Sequence, residues 1–166
     1  MAGIDADAFK LGMRQLAAGV SIVTTFGAAG RAGLTATAVC SVSAEPPQLL
    51  VCVHRDAEAY GVIQESELLC VNLLDQRHLE LARCFAGMTG LRGEERFAEG
   101  GWTRLESGAP VLADALASFD CQVADALISG SHCILVGRVV AVAARPGGEP
   151  LLYADGQFAG LGSEAV

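Results

Sequence analysis

Alternating and continuous apolar runs dominate this chain, and helical spacing is confined to short stretches. Val20 to Phe26 predicts a strand, and Gly27 to Ala32, with two glycines, predicts the turn after it. A run of small residues and hydroxyls follows, through Thr35, Ala36, Thr37, Ala38, Ser41 and Ser43. Pro46-Pro47 forbids regular structure there, since neither proline has an N–H to give to a ladder. Leu49 to His54 predicts the next strand. Leu68 to Leu74, continuously apolar and bounded by acids, predicts a buried one. Helical spacing places Tyr60 and Ile63 on one face of Ala57 to Glu65, and Leu81 and Phe85 on one face of Arg77 to Phe85. Near the start, Asp5 or Asp7 caps a helix carrying Phe9, Met13 and Leu16, with Gly19 as its stop.

The second half continues the strand pattern. Ala117, Phe119, Cys121, Val123 and Leu127 alternate with more polar residues. A second alternating run passes through Ile134, Val136, Arg138 and Val140, and Ser129-Gly130-Ser131 between the two makes a hairpin. Pro146-Gly147-Gly148 is a further turn. Residues 87–101, with five glycines and several charges, predict a mobile loop. Strands joined by hairpins with a few short helices predict a mainly β fold, an antiparallel barrel. The βαβ rhythm of a doubly wound sheet is missing.

Composition narrows the classes of function. The 166 residues predict one domain over 1–166. Apolar residues make up 52% and charged residues 18%, a balance that predicts further surface hidden in an oligomer. A net charge of -8 with one lysine, Lys10, argues against nucleic acid. The six cysteines form no CxxC pair and no metal-ligand spacing, so no metal is expected and the thiols predict small buried hydrophobes. MAGIDADAFK lacks the features of a signal peptide, and no apolar run approaches about 20 residues. A cytoplasmic protein without a membrane span is the expectation. There is no GxGxxG and no GxxxxGK[ST], so any nucleotide is bound outside a Rossmann or P-loop frame.

The stretch from Gly33 to His54, GLTATAVCSVSAEPPQLLVCVH, holds the most chemistry. A strand that only fills a core carries bulkier residues. Small side chains let another body approach the backbone, and hydroxyls supply hydrogen bonds to it, which suits a flat polar ligand such as a flavin ring. An edge strand with a solvated Ser/Thr face has the same composition.

This stretch resembles the signature of the short-chain flavin reductase family, the reductase components of two-component flavin-dependent monooxygenases. Leu16 to Thr25, the Cys70-Val71-Asn72-Leu73-Leu74 run, Arg96-Phe97 with Trp102, Ser129-Gly130-Ser131-His132, and Pro150 to Tyr153 with Gly156-Gln157-Phe158 resemble further family segments in the same order. The resemblance spans about residues 8–161 and implies an FMN-binding split barrel, an antiparallel Greek-key barrel with short flanking helices. It also implies non-covalent FMN or FAD, NADH or NADPH as hydride donor, a homodimer, and a partner monooxygenase fed by diffusible reduced flavin.

By the same resemblance, Thr35, Ala36 and Thr37 lie along the isoalloxazine edge. Ser41, Val42 and Ser43 give ring or phosphate contacts. Cys52, Val53 and His54 line the second strand beside the cofactor, and Ala57 lies near the phosphate or ribityl chain. Arg83 and Phe85 approach the cofactor tail. Arg83 suits phosphate by charge and fork geometry, and equally suits a solvated helix. His132 is the catalytic candidate, a group that positions or polarises nicotinamide, although Ser131 stands where the family usually has Asp. Tyr153 borders the nicotinamide pocket or closes the barrel; Phe158, Phe97 and Trp102 are read as packing residues. His78 is expected in solvent, and Asn72 at a strand end satisfying backbone groups. The competing readings are another split-barrel enzyme, pyridoxamine-phosphate-oxidase-like or haem-degrading, and a flavin-binding module without turnover.

Overall fold

The computed structural model describes residues 3–161. Residues 1–2 and 162–166 of the domain expected over 1–166 lie outside the described residues. Seven strands form one antiparallel sheet, taken here in spatial order: β3 (Gly30–Ala36), β2 (Ser21–Gly27), β6 (Leu68–Leu73), β9 (Ala117–Ser129), β10 (His132–Ala144), β5 (Pro47–His54) and β4 (Val39–Ala44). The two edge strands, β3 and β4, are consecutive in sequence and joined by Thr37-Ala38 alone. Six gaps of about 4.8 Å would hold the edges of a flat sheet about 29 Å apart. Three Cα steps from Ala36 to Val39 reach about 11 Å at most. The sheet therefore curls into a barrel whose seam the chain crosses without β3 and β4 pairing. This is the expected mainly β split barrel.

The small elements pack around that barrel. Helix α1 (Ala6–Met13) precedes β1 (Ala18–Gly19), which pairs with β11 (Leu152–Ala154), itself paired with β12 (Gln157–Ala159). Helices α2 (Glu58–Ser66) and α3 (Leu79–Phe85) cover the β2–β3 side, and a short ribbon joins β7 (Trp102–Arg104) to β8 (Pro110–Leu112). Val23, Val51, Val53, Leu69, Val71 and Leu135 fill the barrel with Ile63 of α2. Ile22, on the opposite face of β2, packs outside the barrel with Leu74, Leu81, Phe85 and Phe97. Burial on both faces explains why β6 reads as a continuous apolar run rather than an alternating one.

Three sequence expectations change. The hydroxyl-rich run is two strands at opposite edges rather than one, because the seam breaks it after Ala36. Pro47 opens β5, paired with Ala44 across a two-residue turn, so only Glu45-Pro46 lies outside the ladder. The glycine-rich segment is pinned rather than free. It folds a 3₁₀ turn over Gly93–Phe97, buries Phe97, and places Glu94 on β3. Arg31 Nε and Nη2 donate to Glu94 at 2.8 and 2.6 Å, its backbone N–H donates at 2.7 Å, and its guanidinium lies 4.7 Å over the Phe97 ring. Hydrogen bonds from Arg31 hold the Glu94 carboxyl below the usual range, so the clamp's contribution is complete above that range and is lost as pH falls below it through the lowered value.

Several polar groups inside the fold meet partners far along the chain. Asn72 sits within β6, not at its end. Its Nδ2 donates to the Ile22 carbonyl (3.1 Å) and Thr24 Oγ1 (3.2 Å). Its Oδ1 accepts from the Leu112 N–H (2.9 Å) and Ser118 Oγ (2.8 Å). One amide thus joins β2, β6, β8 and β9. His78 is buried rather than solvated: Nδ1 accepts from the Asp75 N–H at 3.2 Å and Nε2 lies 3.2 Å from Asp114. Buried Asp120 accepts from the Ser107 N–H at 2.7 Å. Burial and the Asp120 charge push the Cys70 thiol far up and Cys121 up to about 12, so both are inert thiols.

Replacing Asn72 with Leu keeps the volume and strips four buried partners of their bonds. The expected loss is about 3 kcal/mol of unfolding free energy, read as a lower urea midpoint. An unchanged midpoint would show that the amide does not tie these strands together.

Candidate active site

Two concavities flank the seam. The first, about 830 Å³, is lined on one side by Thr37, Ser41 and Ser43 and otherwise mainly by apolar groups, including Leu16, Leu49, Leu73, Phe119 and Val142. The second, about 470 Å³, is polar and lies along the free edge of β3, with Gly33, Leu34 and Thr35 on one side, Asp56, Ala57 and Glu58 on another, and Phe85 to Gly87, Gly90, Arg92 and Arg96 closing it. Both volumes fall in the range of roughly 300–1,000 Å³ that small-molecule sites occupy.

Strand alternation sets what the β3 edge offers. Gly33 and Thr35 point their backbone groups to the same side as Arg31, whose N–H meets Glu94 outside the sheet. Arg96 confirms the direction, its Nη1 donating to the Gly33 carbonyl at 3.2 Å. The N–H groups of Gly33 and Thr35 therefore face the polar cavity. Gly33 is required here, since a Cβ would stand 2.7 Å from the Phe85 ring. That ring is locked edge-on to Phe97 (5.0 Å between centroids) and against Trp102 (5.6 Å). Arg96 Nε is held by the Leu91 carbonyl at 2.9 Å, which leaves Nη2 beside Gly87, where a Cβ would lie 3.8 Å away. Two arginines and two edge amides share this concavity with the Asp56 and Glu58 carboxylates, and its arginine end makes an anion cradle.

The sequence-derived residues divide between these places. Thr35, Ala57 and Phe85 line the polar cavity; Thr37, Ser41 and Ser43 line the apolar one. The Thr35 hydroxyl already donates to the Ala82 carbonyl at 2.7 Å, so its backbone and its lone pairs are what face a ligand. Ala36 and Val53 turn into the barrel core. Val42 is 48% exposed at a bulge between Ser41 and Ser43, without a partner on β5. Half-buried Cys52 donates its N–H to the Ala38 carbonyl at 3.0 Å, tying the seam to β5. His54 pairs with His132 across β5 and β10, with ring centroids 4.9 Å apart.

Arg83 corrects the phosphate expectation. It lies on the exposed face of α3, paired with Glu80 at 2.7 Å, and lines neither concavity. Tyr153 also lines neither; it packs on Phe158 with centroids 5.2 Å apart, in the small β1–β11–β12 sheet outside the barrel. The residues missed were Arg92 and Arg96. Both sit in the glycine-rich segment read as a loop, and only the Arg31–Glu94 clamp and the Phe97 anchor bring them to β3. A pair of arginines four apart among glycines was the available signal.

The family described as "Flavin reductase like domain" matches residues 13–162. A relative in Agrobacterium fabrum named FMN reductase (NADH) RutF is 49% identical over 150 residues, covering 90% of this chain and 85% of its own. BorF, the flavin reductase component of a bacterial two-component tryptophan halogenase, superposes with a TM-score of 0.87 at 33% identity, over 96% of this chain and all of its own. SgcE6 of Streptomyces globisporus C-1027, an NADH:FAD oxidoreductase, gives a TM-score of 0.85 at 30% identity, over 96% of both chains. A split barrel crossed by a hydroxyl-rich seam beside an anion cradle, matched over nearly its whole length, places this chain in the flavin reductase like domain family.

Proposed function

We propose that this chain, acting as one domain over 1–166, is a cytoplasmic NADH-dependent flavin reductase that takes FMN and releases it reduced to a partner monooxygenase. The observation that carries this reading is the anion cradle formed by Arg92, Arg96 and the β3 edge, next to a seam lined by hydroxyls. The residues fit a flavin mononucleotide. The cradle suits a phosphate, Gly90 leaves open space with nothing within 4 Å of a Cβ, and the seam offers unpaired strand edges to a polar ring. FMN rather than FAD, and NADH rather than NADPH, are supported by the name of the 49%-identical relative.

Bound flavin supplies the hydride acceptor, so the transfer asks the protein for no general base. The chain's own residues bind and orient. Arg96 and Arg92 hold the phosphate end. Backbone N–H groups along the open edges of β3 and β4 donate to the ring's polar rim, where negative charge develops. Cys52 borders the ring along β5, and His132 at the β9–β10 turn positions the nicotinamide. Non-covalent, moderate affinity suits a flavin that leaves; a micromolar constant corresponds to about -8 kcal/mol.

A homodimer completes the reading. Helix α1 buries none of its residues, and Ile4, Phe9, Leu11, Met13 and Leu16 are exposed beside the apolar concavity that Leu16 lines. A second copy is the occupant we assign to that face. Sedimentation should return a dimer, and Leu11→Asp should shift it toward monomer; a monomeric parent protein would refute the assignment.

Loss of the nicotinamide absorbance tests the activity. Oxidation of NADH should require both protein and FMN. Arg96→Ala should raise KM for FMN about 10- to 100-fold, the value of a charge-assisted hydrogen bond to phosphate, while leaving riboflavin turnover nearly unchanged. Equal losses for FMN and riboflavin would remove the phosphate from Arg96. No oxidation with any flavin, by folded protein that binds FMN, would leave a binding module.

A further inference from the structure

The two exposed histidines form a unit. His132 opens β10 directly after the two-residue turn Gly130-Ser131, and the register sets it opposite His54, the last residue of β5. Their rings meet edge to face, with centroids 4.9 Å apart and an interplanar angle of 76°. The backbones on both sides are fixed, since the Arg55 N–H donates to the Ser131 carbonyl at 2.9 Å. What stays free is the direction of each ring. The Asp56 N–H donates to His54 Nδ1 at 3.1 Å, so the neutral His54 ring carries its proton on Nε2. His132 Nδ1 lies 2.9 Å from Ser131 Oγ, which leaves Nε2 as its outward nitrogen.

We infer that His54 is a positioning residue for His132. A single bond to the neighbouring serine on an exposed turn competes with water and leaves the imidazole free to swing. The His54 ring, itself held by Asp56, gives the His132 ring a second contact and fixes the direction in which Nε2 points. Asp56 and Ala57 line the polar cavity, so His54, at the end of β5, leads directly into the β5–α2 connection that borders that cavity. His54 thereby acts on the nicotinamide through His132 rather than on the flavin directly. This role rests on the assignment of His132 to the nicotinamide.

Steady-state kinetics with NADH and FMN test it. His54→Ala should raise KM for NADH about two- to tenfold, the worth of one aromatic edge-to-face contact, with kcat and KM for FMN changed less than twofold. His54→Phe keeps a ring edge and should recover most of the loss. Imidazole nitrogen NMR gives a reading independent of turnover, since the chain has only three histidines. Replacing His54 should move the His132 ring signals and leave those of buried His78 in place. If His132→Ala raises KM for NADH but His54→Ala does not, the positioning role is wrong and the nicotinamide assignment stands. If His132→Ala leaves KM unchanged, the nicotinamide assignment itself fails. Unmoved His132 signals would refute the contact.

Discussion

The two residues that carry the chain from β3 to β4 set the geometry of everything else. They force a seven-strand sheet to bring its edges within about 11 Å, and they do so without the hydrogen bonds that would zip those edges together. The barrel is closed by its covalent chain and left open along one strip of backbone. Exposed strand edges are ordinarily a hazard, and proteins cover or charge them. Here β3 is covered on one side by Glu94 and Arg96, and the amides of Gly33 and Thr35 stay available to a ligand. The small residues of the seam suit the proposed reading, because a flat ring approaches backbone only where side chains are short.

Polarity then divides the two sides of the seam. Downstream, Thr37, Ser41 and Ser43 look onto an apolar concavity; upstream, Arg92 and Arg96 look onto a polar one. A flavin mononucleotide has the matching asymmetry, with a broad ring at one end and a dianion at the other. The protein's net charge of -8 gives no long-range attraction for an anion, so on the proposed reading the two guanidiniums supply it locally. Their placement depends on the clamp between Arg31 and Glu94 and on the aromatic trio of Phe85, Phe97 and Trp102. Gly33 permits that trio to approach β3 at all.

Much of the architecture was legible in the sequence. Alternation and apolar runs located β2, β5, β6 and β9 within a residue or two and most of β10, whose C-terminal end runs on to Ala144, and the Gly130-Ser131 hairpin was found directly. The seam was not, because Thr35 to Ser43 has continuous strand character and the break after Ala36 is imposed by the closure of the whole sheet. His78 and Asn72 were misplaced for a related reason: their burial is set by partners on Asp114, Ile22 and Leu112, far along the chain. Among the expected site residues, composition marked the small and hydroxyl side chains of β3 and β4, and the family resemblance supplied their individual roles. Arg83 and Arg96 were exchanged because either suits phosphate by chemistry, and only the Arg31–Glu94 contact, about 60 residues apart in sequence, decides which one reaches the cavity.

The central claim is that one ligand spans the seam with its anionic end in the β3 cradle. A crystal structure of the protein soaked with FMN tests this most directly. The account predicts phosphate density between Arg92, Arg96 and the N–H groups of Gly33 and Thr35, with the ring lying along Thr35 to Thr37 beside Cys52. Phosphate density at Arg83, or a flavin seated wholly within the apolar concavity, would contradict it.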